Sequence, residues 1–438
     1  MKIATLALLS LALPCLIFAQ TENAKTQDAG PGKISARARA IHNSAVVVDT
    51  HADTPQRFVD ENYDIGSTDP NDPGHISLAK ARVGNLGAEF FSIWVDPTGN
   101  EGHFAHRTLD LIDSVYEQAA NHPDRMMMAF NVNGILLARR QHKLAALMGI
   151  EGGHSIENDI RLLRDYYRLG VRYMTVTWSN TNEFADSSGD IDDAKVEHHN
   201  GLTEHGKDVI REMNRLGMMV DISHVADKTF WDVIETTKAP VIASHSSARA
   251  LVNHPRNMTD EMLKAVAKNG GVVQVNFYSA FLDEDFRKAS EAQKKDREAA
   301  ENAYIAQRKA ANLPIVYSDI DRIDREWNAK IPRPPFHVLI DHIDHIAKVA
   351  GVDHVGLGSD FDGVSGATPQ GIDSAADLPK ITQALLDRGY TAAQIQRILG
   401  GNLLRVFRQV EAIGRQLTSK QSAAVSKPRA KEKPAISN

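Results

Sequence analysis

Cysteine is almost missing from this chain: one in 438 residues, at position 15. It lies in MKIATLALLSLALPCLIFA, residues 1–19, where Lys2 gives a positive start, Ile3 to Phe18 an apolar stretch and Ala19 a small residue before Gln20. That pattern reads as an export leader, too short and wrongly flanked for a stable membrane span. Pro14 stands where a lipoprotein leader needs a small residue, which argues against lipid anchoring. Cleavage after Ala19 leaves no thiol, so disulfides and thiol catalysis are excluded, and any metal must be held by histidine and carboxylate. An exported protein, periplasmic or secreted, is expected. No GxGxxG and no GxxxxGK followed by Ser or Thr comes after any candidate strand, which removes the usual nucleotide-binding alternative. No basic stripe interleaved with aromatics is present and the net charge is a mild −6, so nucleic acid is not an expected partner. Internal repeats and linkers are missing between residues 40 and 415.

What is present is alternation of two kinds of segment. Apolar, β-branched runs occur at Ala45–Val48, Ala88–Val95, Leu144–Ile150, Tyr173–Trp178, Met218–Ser223, Pro240–Ser244, Gly271–Phe277 and His354–Gly358. Helix-like segments such as Asp159–Leu169 and Leu202–Leu216 fall between them. Near-continuous apolar strands alternating with helices predict parallel pairing with helices outside. Eight such units predict a (β/α)8 barrel of the TIM type in one catalytic domain, residues 40–417. A charged insertion, Asp283–Pro335, contains a helix-compatible run from Phe286 to Ala311 and a Pro-rich return, suited to a lid, an oligomer contact or a solvated excursion. Residues 20–39 read as a flexible lead-in and residues 418–438, with five basic side chains against Glu432, as a disordered basic tail.

The downstream ends of the apolar runs carry the chemistry. Active sites of such barrels lie at that rim, where side chains from distant strands converge. The first strand ends in Asp49-Thr50-His51-Ala52-Asp53; strict alternation puts residues 49, 51 and 53 on one face, so His51 and Asp53 can grip one ion, with Asp49 fixing an imidazole or a loop backbone. Glu151 closes LAALMGIE and precedes Gly152-Gly153, a pair that permits close approach of a ligand. Its two oxygens can bridge two cations, with His224 and His245 serving the second. One such histidine alone is more often structural; five ligand-type residues at strand ends point to a binuclear centre. Two cations lower the pKa of a bridging water and polarise a scissile carbonyl. Asp360, ending VGLGSD, is placed to accept the proton and return it to a leaving amine, while Asp362 shapes the turn with Gly363. Two zinc ions suit the ligand set, and manganese or cobalt fit the same residues.

The stretches DTHADTP, GIEGGHSI, RYMTVT, VDISHV, ASHSSARAL, PRNMTD, GGVVQVNFY, GLGSDFDGV and GNLLRVF, in this order from Val46 to Phe407, resemble the membrane dipeptidase (renal dipeptidase) family of zinc peptidases, within the amidohydrolase-like barrels. The resemblance implies that His51 and Asp53 hold one zinc, that His224 and His245 hold the other, and that Glu151 bridges them. It implies that Asp360 is the catalytic acid/base and that Arg256 binds the substrate's C-terminal end, where a fork of donors suits a carboxylate. Asn276 and Tyr278 fall in a matching stretch and are expected to line the pocket. A homodimer, acceptance of a D-residue on the C-terminal side, and acceptance of β-lactam-like amides are further implications.

One position departs from the pattern. After the fourth candidate strand the family commonly has Thr-His-Ser, the histidine contacting substrate near the scissile carbonyl; here the residues are Thr177-Trp178-Ser179. An indole cannot accept a proton and has one N–H to donate. Trp178 is therefore a substrate-pocket residue of altered chemistry, with Asn180 or Asn182 as candidate substitutes for the imidazole. The expected activity is hydrolysis of dipeptides by metal-bound hydroxide. Trp178 keeps open a hydrolase of another bond, in an N-acyl amino acid, lactone or ester. A non-catalytic binding protein is disfavoured, because all five ligands and Asp360 are present.

Overall fold

The computed structural model describes residues 33–425; the leader at 1–19 and residues 426–438 of the tail lie outside them. Nine strands form one sheet: β1 Val47–Ala52, β2 Leu86–Trp94, β3 Met126–Met128, β4 Leu144–Glu151, β5 Val171–Thr175, β6 Met219–Asp221, β7 Ile242–Ala243, β8 Val272–Val275 and β9 Val355–Leu357. Eight follow one another as β1-β2-β4-β5-β6-β7-β8-β9, and every neighbouring pair is parallel. These are the eight expected strands with shifted ends. β3 was not expected: Met126–Met128 is too short to show a period, and it pairs only with the first residues of β4.

The circle closes between β9 and β1, just above the last ladder pairs. Asp360 N donates to His51 O at 3.0 Å and Asp53 N to Phe361 O at 2.8 Å. Side chains secure the same seam: Thr50 Oγ1 donates to Ser244 O and Leu357 O, and Ser359 N donates to Asp49 Oδ1. With helices outside, this is a (β/α)8 barrel. Among the described residues no helix is long and apolar enough to cross a membrane.

Helix ends follow local chemistry. Helix Ile160–Arg168 starts where Asp159 accepts from Arg161 N, and helix Glu204–Leu216 runs from a Thr203 cap to Gly217, whose φ of 77° ends it. Helix Ala36–Ser44, capped by Ser35, begins inside the segment expected to be flexible, and it buries Ala38 and His42. The last helix, Asn402–Val425, continues past the expected boundary at Leu417. Its first turns close the lower end of the barrel, where Leu403, Phe407 and Val410 pack with Val48, Phe90, Leu147 and Tyr173. The insertion holds two helices, Glu284–Ala310 and Tyr317–Asn328. The second occupies the expected Pro-rich return; Tyr317, Ile320, Ile323 and Trp327 recur along it at helical spacing, and Arg325 on Asp321 and Arg322 on Asp319 add charge pairs.

Two local departures shape the rim. Between Asp49 and Ala52, β1 has three residue steps where β2 has two, from Glu89 to Phe91. This bulge breaks alternation. Thr50 and His51 both turn inward, while Asp49 sits opposite Glu89 on the outer wall, so Asp49, His51 and Asp53 do not share one face. Asp49 instead holds loop backbone, at Ser359 N and His51 N. The second departure is at Gly149 in β4, where a Cβ would fall 1.9 Å from the Tyr173 ring. Tyr173 is fully buried and cannot withdraw. Gly149→Ala is expected to destabilise the fold by about 1–3 kcal/mol or more through overpacking, read as a lower thermal midpoint; an unchanged midpoint would show that the Tyr173 ring has room to move.

Candidate metal centre

Five strands deliver side chains to one small volume: His51 and Asp53 from β1, Glu151 at the end of β4, His224 after β6, His245 after β7 and Asp360 after β9. Glu151 Oε1 lies 2.9 Å from His224 Nε2 and 3.4 Å from His245 Nε2, and Oε2 lies 3.3 Å from His51 Nε2. His51 Nε2 is 3.7 Å from Asp53 Oδ2, and the Nε2 atoms of His224 and His245 are 2.9 Å apart. Ligand atoms of His51, Glu151 and His245 fall within 4.8 Å of one another, as do those of His51, Asp53 and Asp360. Asp360 thus belongs to the cluster itself. His224 and Asp360 reach it from left-handed backbone, at φ 67° and 61°, a conformation uncommon outside glycine.

Hydroxyl groups decide which imidazole nitrogen faces inward. Tyr173 OH donates to Thr50 O at 3.0 Å, so at 2.8 Å from His51 Nδ1 its oxygen accepts the Nδ1 hydrogen. Ser244 Oγ donates to Asp221 Oδ2 at 2.5 Å and in the same way accepts from His245 Nδ1 at 2.8 Å. Both rings therefore turn Nε2 toward Glu151; on His51 that nitrogen carries a proton, and either nitrogen without its proton offers the lone pair a metal ligand requires. His51 Nε2 and Asp53 Oδ1 are buried without any hydrogen-bond partner.

The charge balance points the same way. Burial depresses the pKa of His51, yet Glu151, Asp53 and Asp360 outweigh it and push the value up to about 10. Burial, with the Glu151 charge, holds Asp53 well above the usual carboxylate range, and burial raises Asp360 too. Burial and Arg256 lower His224 to about 3. Three carboxylates gathered in a largely buried site therefore draw positive charge, which a proton on His51 supplies and a divalent cation can supply in its place. Nitrogen and oxygen donors without sulfur suit zinc and harder divalent ions.

Around this cluster, buried Arg256 donates from Nη2 to His245 O at 3.3 Å and leaves Nη1 without a partner. Asn276 Nδ2 donates to Asp360 Oδ2 at 2.9 Å. Tyr278 packs on Phe281 and Phe286 at the root of the insertion. Trp178 meets Trp94 at 4.8 Å and His224 at 6.3 Å between ring centroids, tilted against each at 51° and 33°. Asp362 is fully engaged elsewhere, accepting from Thr54 Oγ1 and from His75 N, while its own backbone N donates to His75 Nδ1. The Gly152-Gly153 pair serves packing rather than ligand approach: Gly152 has φ 101°, and a Cβ at Gly153 would fall 2.4 Å from Phe184.

The model of the membrane dipeptidase family, peptidase family M19, matches residues 35–421. The chain belongs to that family. An uncharacterized dipeptidase of Schizosaccharomyces pombe is 33% identical over 407 residues, covering 88% of this chain and 85% of its own length. Human Dipeptidase 3 is 33% identical over 386 residues, covering 86% and 67%. Among solved structures, the probable dipeptidase PvdM of Pseudomonas aeruginosa has a TM-score of 0.72 at 24% identity, covering 86% of this chain and 98% of that one. A metallo peptidase from Rhodobacter sphaeroides, liganded with a phosphinate mimic of the dipeptide L-Ala-D-Ala, has a TM-score of 0.66 at 23% identity, covering 84% and 99%. These two likenesses speak to the fold. The M19 chain is a metal-dependent dipeptidase.

Several residues at this M19 site were not singled out in the sequence. Tyr173, Ser244 and Asp221 orient the imidazoles, and Ser92 Oγ donates to Glu151 Oε2 at 3.2 Å. Two signals were available: an aspartate inside the apolar run MMVDIS, and a mid-strand glycine, Gly149, in register with Tyr173. Tyr173→Phe removes the oxygen that holds His51 Nδ1. Metal affinity is expected to fall about 10–100-fold, as for loss of other groups that orient ligands, measured by competition with a chelator; unchanged affinity would show that ring packing alone fixes His51.

Proposed function

We propose that this dipeptidase is an exported enzyme that holds two zinc ions and cleaves the amide of dipeptides, including those with a D-residue on the C-terminal side. The observation that carries the reading is the convergence of three Nε2 atoms on the two oxygens of Glu151. His51 and Asp53 would hold one ion and His224 and His245 the other, with Glu151 shared between them. Cations bound there supply Lewis acidity, lowering the pKa of a water molecule and polarising the scissile carbonyl. Asp360 takes the water's proton at Oδ1, the oxygen that Asn276 leaves free, and returns it to the leaving amine. Arg256 receives the substrate carboxylate with Nη1, which has no partner of its own. The leader pattern of residues 1–19 supports export. Acceptance of a D-residue draws support from the Rhodobacter sphaeroides neighbour and its L-Ala-D-Ala mimic.

Trp178 favours a second reading, in which the preferred bond is that of an ester, lactone or N-acyl amino acid. Zinc-loaded enzyme assayed on L,L- and L,D-dipeptides beside those compounds separates the two: dipeptides are expected to be fastest, and faster turnover of esters or lactones would establish the second. Glu151→Gln is expected to lose metal and activity together; full activity with two ions bound would remove the bridging role. Asp360→Asn is expected to keep its metal while turnover falls about 10²-fold or more, and near-normal turnover would take Asp360 out of proton transfer.

A further inference from the structure

The rim of the barrel is divided into two arcs of different chemistry. Arg256, Asn276 and Asp360 follow β7, β8 and β9, while Trp94 ends β2 and Trp178 follows β5, on the other side of Glu151. Trp94 and Glu151 are register partners, so the aromatic arc begins beside the bridging carboxylate. Its third member comes from far along the chain. Tyr317, first residue of the second insertion helix, meets Trp94 edge-on, with ring centroids 4.6 Å apart and planes at 67°. The Trp94 and Trp178 rings lie 4.8 Å apart at 51°. Trp94 is buried with its indole Nε1 unpartnered, whereas Trp178 and Tyr317 are half-buried, so the wall keeps an accessible face.

A dipeptide whose carboxylate sits at Arg256 and whose scissile carbonyl sits at Glu151 directs its amino-terminal residue across the site, to this wall. The expected imidazole would offer that residue a polar contact, and the three rings offer apolar faces and edges instead. We propose that Trp94, Trp178 and Tyr317 form a specificity pocket for an apolar, preferentially aromatic, side chain on the amino-terminal residue of the substrate. The inference rests on the dipeptidase reading and on Arg256 as the carboxylate anchor.

The test is a series of zinc-loaded assays on dipeptides sharing a C-terminal alanine, with Ala, Leu, Phe or Lys at the amino-terminal position. Phe is expected to exceed Ala in kcat/KM by about tenfold or more, through KM rather than kcat. Trp178→Ala and Tyr317→Ala should each shrink that ratio about fivefold or more, while Trp178→Phe retains most of it. A wild-type preference for Ala or Lys, or a ratio untouched by both alanine variants, overturns the proposal. Calorimetric binding of L-phenylalaninamide and L-alaninamide, which lack the carboxylate that Arg256 would hold, separates it from the dipeptidase reading. If no dipeptide is turned over, that reading fails. Tighter binding of L-phenylalaninamide that is lost in Tyr317→Ala still supports the pocket, and equal binding of the two amides overturns it.

Discussion

Glu151 keeps its charge in a buried place because the positive charge on His51 lies beside one of its oxygens, with His224 and His245 next to the other. Burial works against that charge, and His51, His224 and His245 hold its pKa well below the usual range all the same. A carboxylate taken out of water without such partners costs several kcal/mol. The partners in turn need orientation, since a neutral imidazole presents a lone pair on one nitrogen only. Tyr173 and Ser244 settle that for His51 and His245, and their own hydroxyl hydrogens are committed to Thr50 O and Asp221. The Tyr173 ring reaches its place only because Gly149 has no side chain. Orientation is therefore passed from backbone to hydroxyl to imidazole to carboxylate.

The backbone of the rim departs from regularity at the positions that carry ligands. A bulge in β1 turns both Thr50 and His51 inward, one to the seam of the barrel and one to the metal centre. His224 and Asp360 lie in left-handed backbone, which costs of order 1 kcal/mol or more for residues with a side chain. The surrounding structure holds them there. His224 O accepts from Ser188 N and Oγ, and Asp360 N donates to His51 O across the closing seam. That seam has little strand pairing, so Asp49 and Asp362, both buried carboxylates, tie loop backbone together on either side of it. The acidic residues near β1 and β9 thus divide into two sets, one at the metal centre and one at the joint that keeps it assembled.

The eight strands and the six residues of the cluster were legible because each apolar run stops in a side chain that has no place in an apolar core. Residues that act through another residue left a fainter mark. Tyr173 reads as one more apolar strand position until its partner across the sheet is known, and Ser244 resembles any polar residue after a strand. The bulge in β1 was not legible, because an extra residue in one strand is defined only against its neighbour. β3 carries three methionines and no period. In each case the deciding information is a contact between segments distant in sequence.

Trp178 and Tyr317 of the charged insertion look unrelated along the chain, 139 residues apart, yet one physical requirement joins them. The Trp178 indole at the rim adds a large apolar surface beside the mouth of a polar site. Trp94 covers one face of it but brings a second indole with the same need. Helix Tyr317–Asn328 half-buries Tyr317, Ile320, Ile323 and Trp327 beside the buried Asn328. Its first residue sets an aromatic ring edge-on against Trp94. The ligand positions are fixed by five strands at once and leave little freedom. The aromatic arc is assembled from a strand end, a loop and an insertion, and there the chain can change what it accepts without disturbing the Nε2 atoms around Glu151.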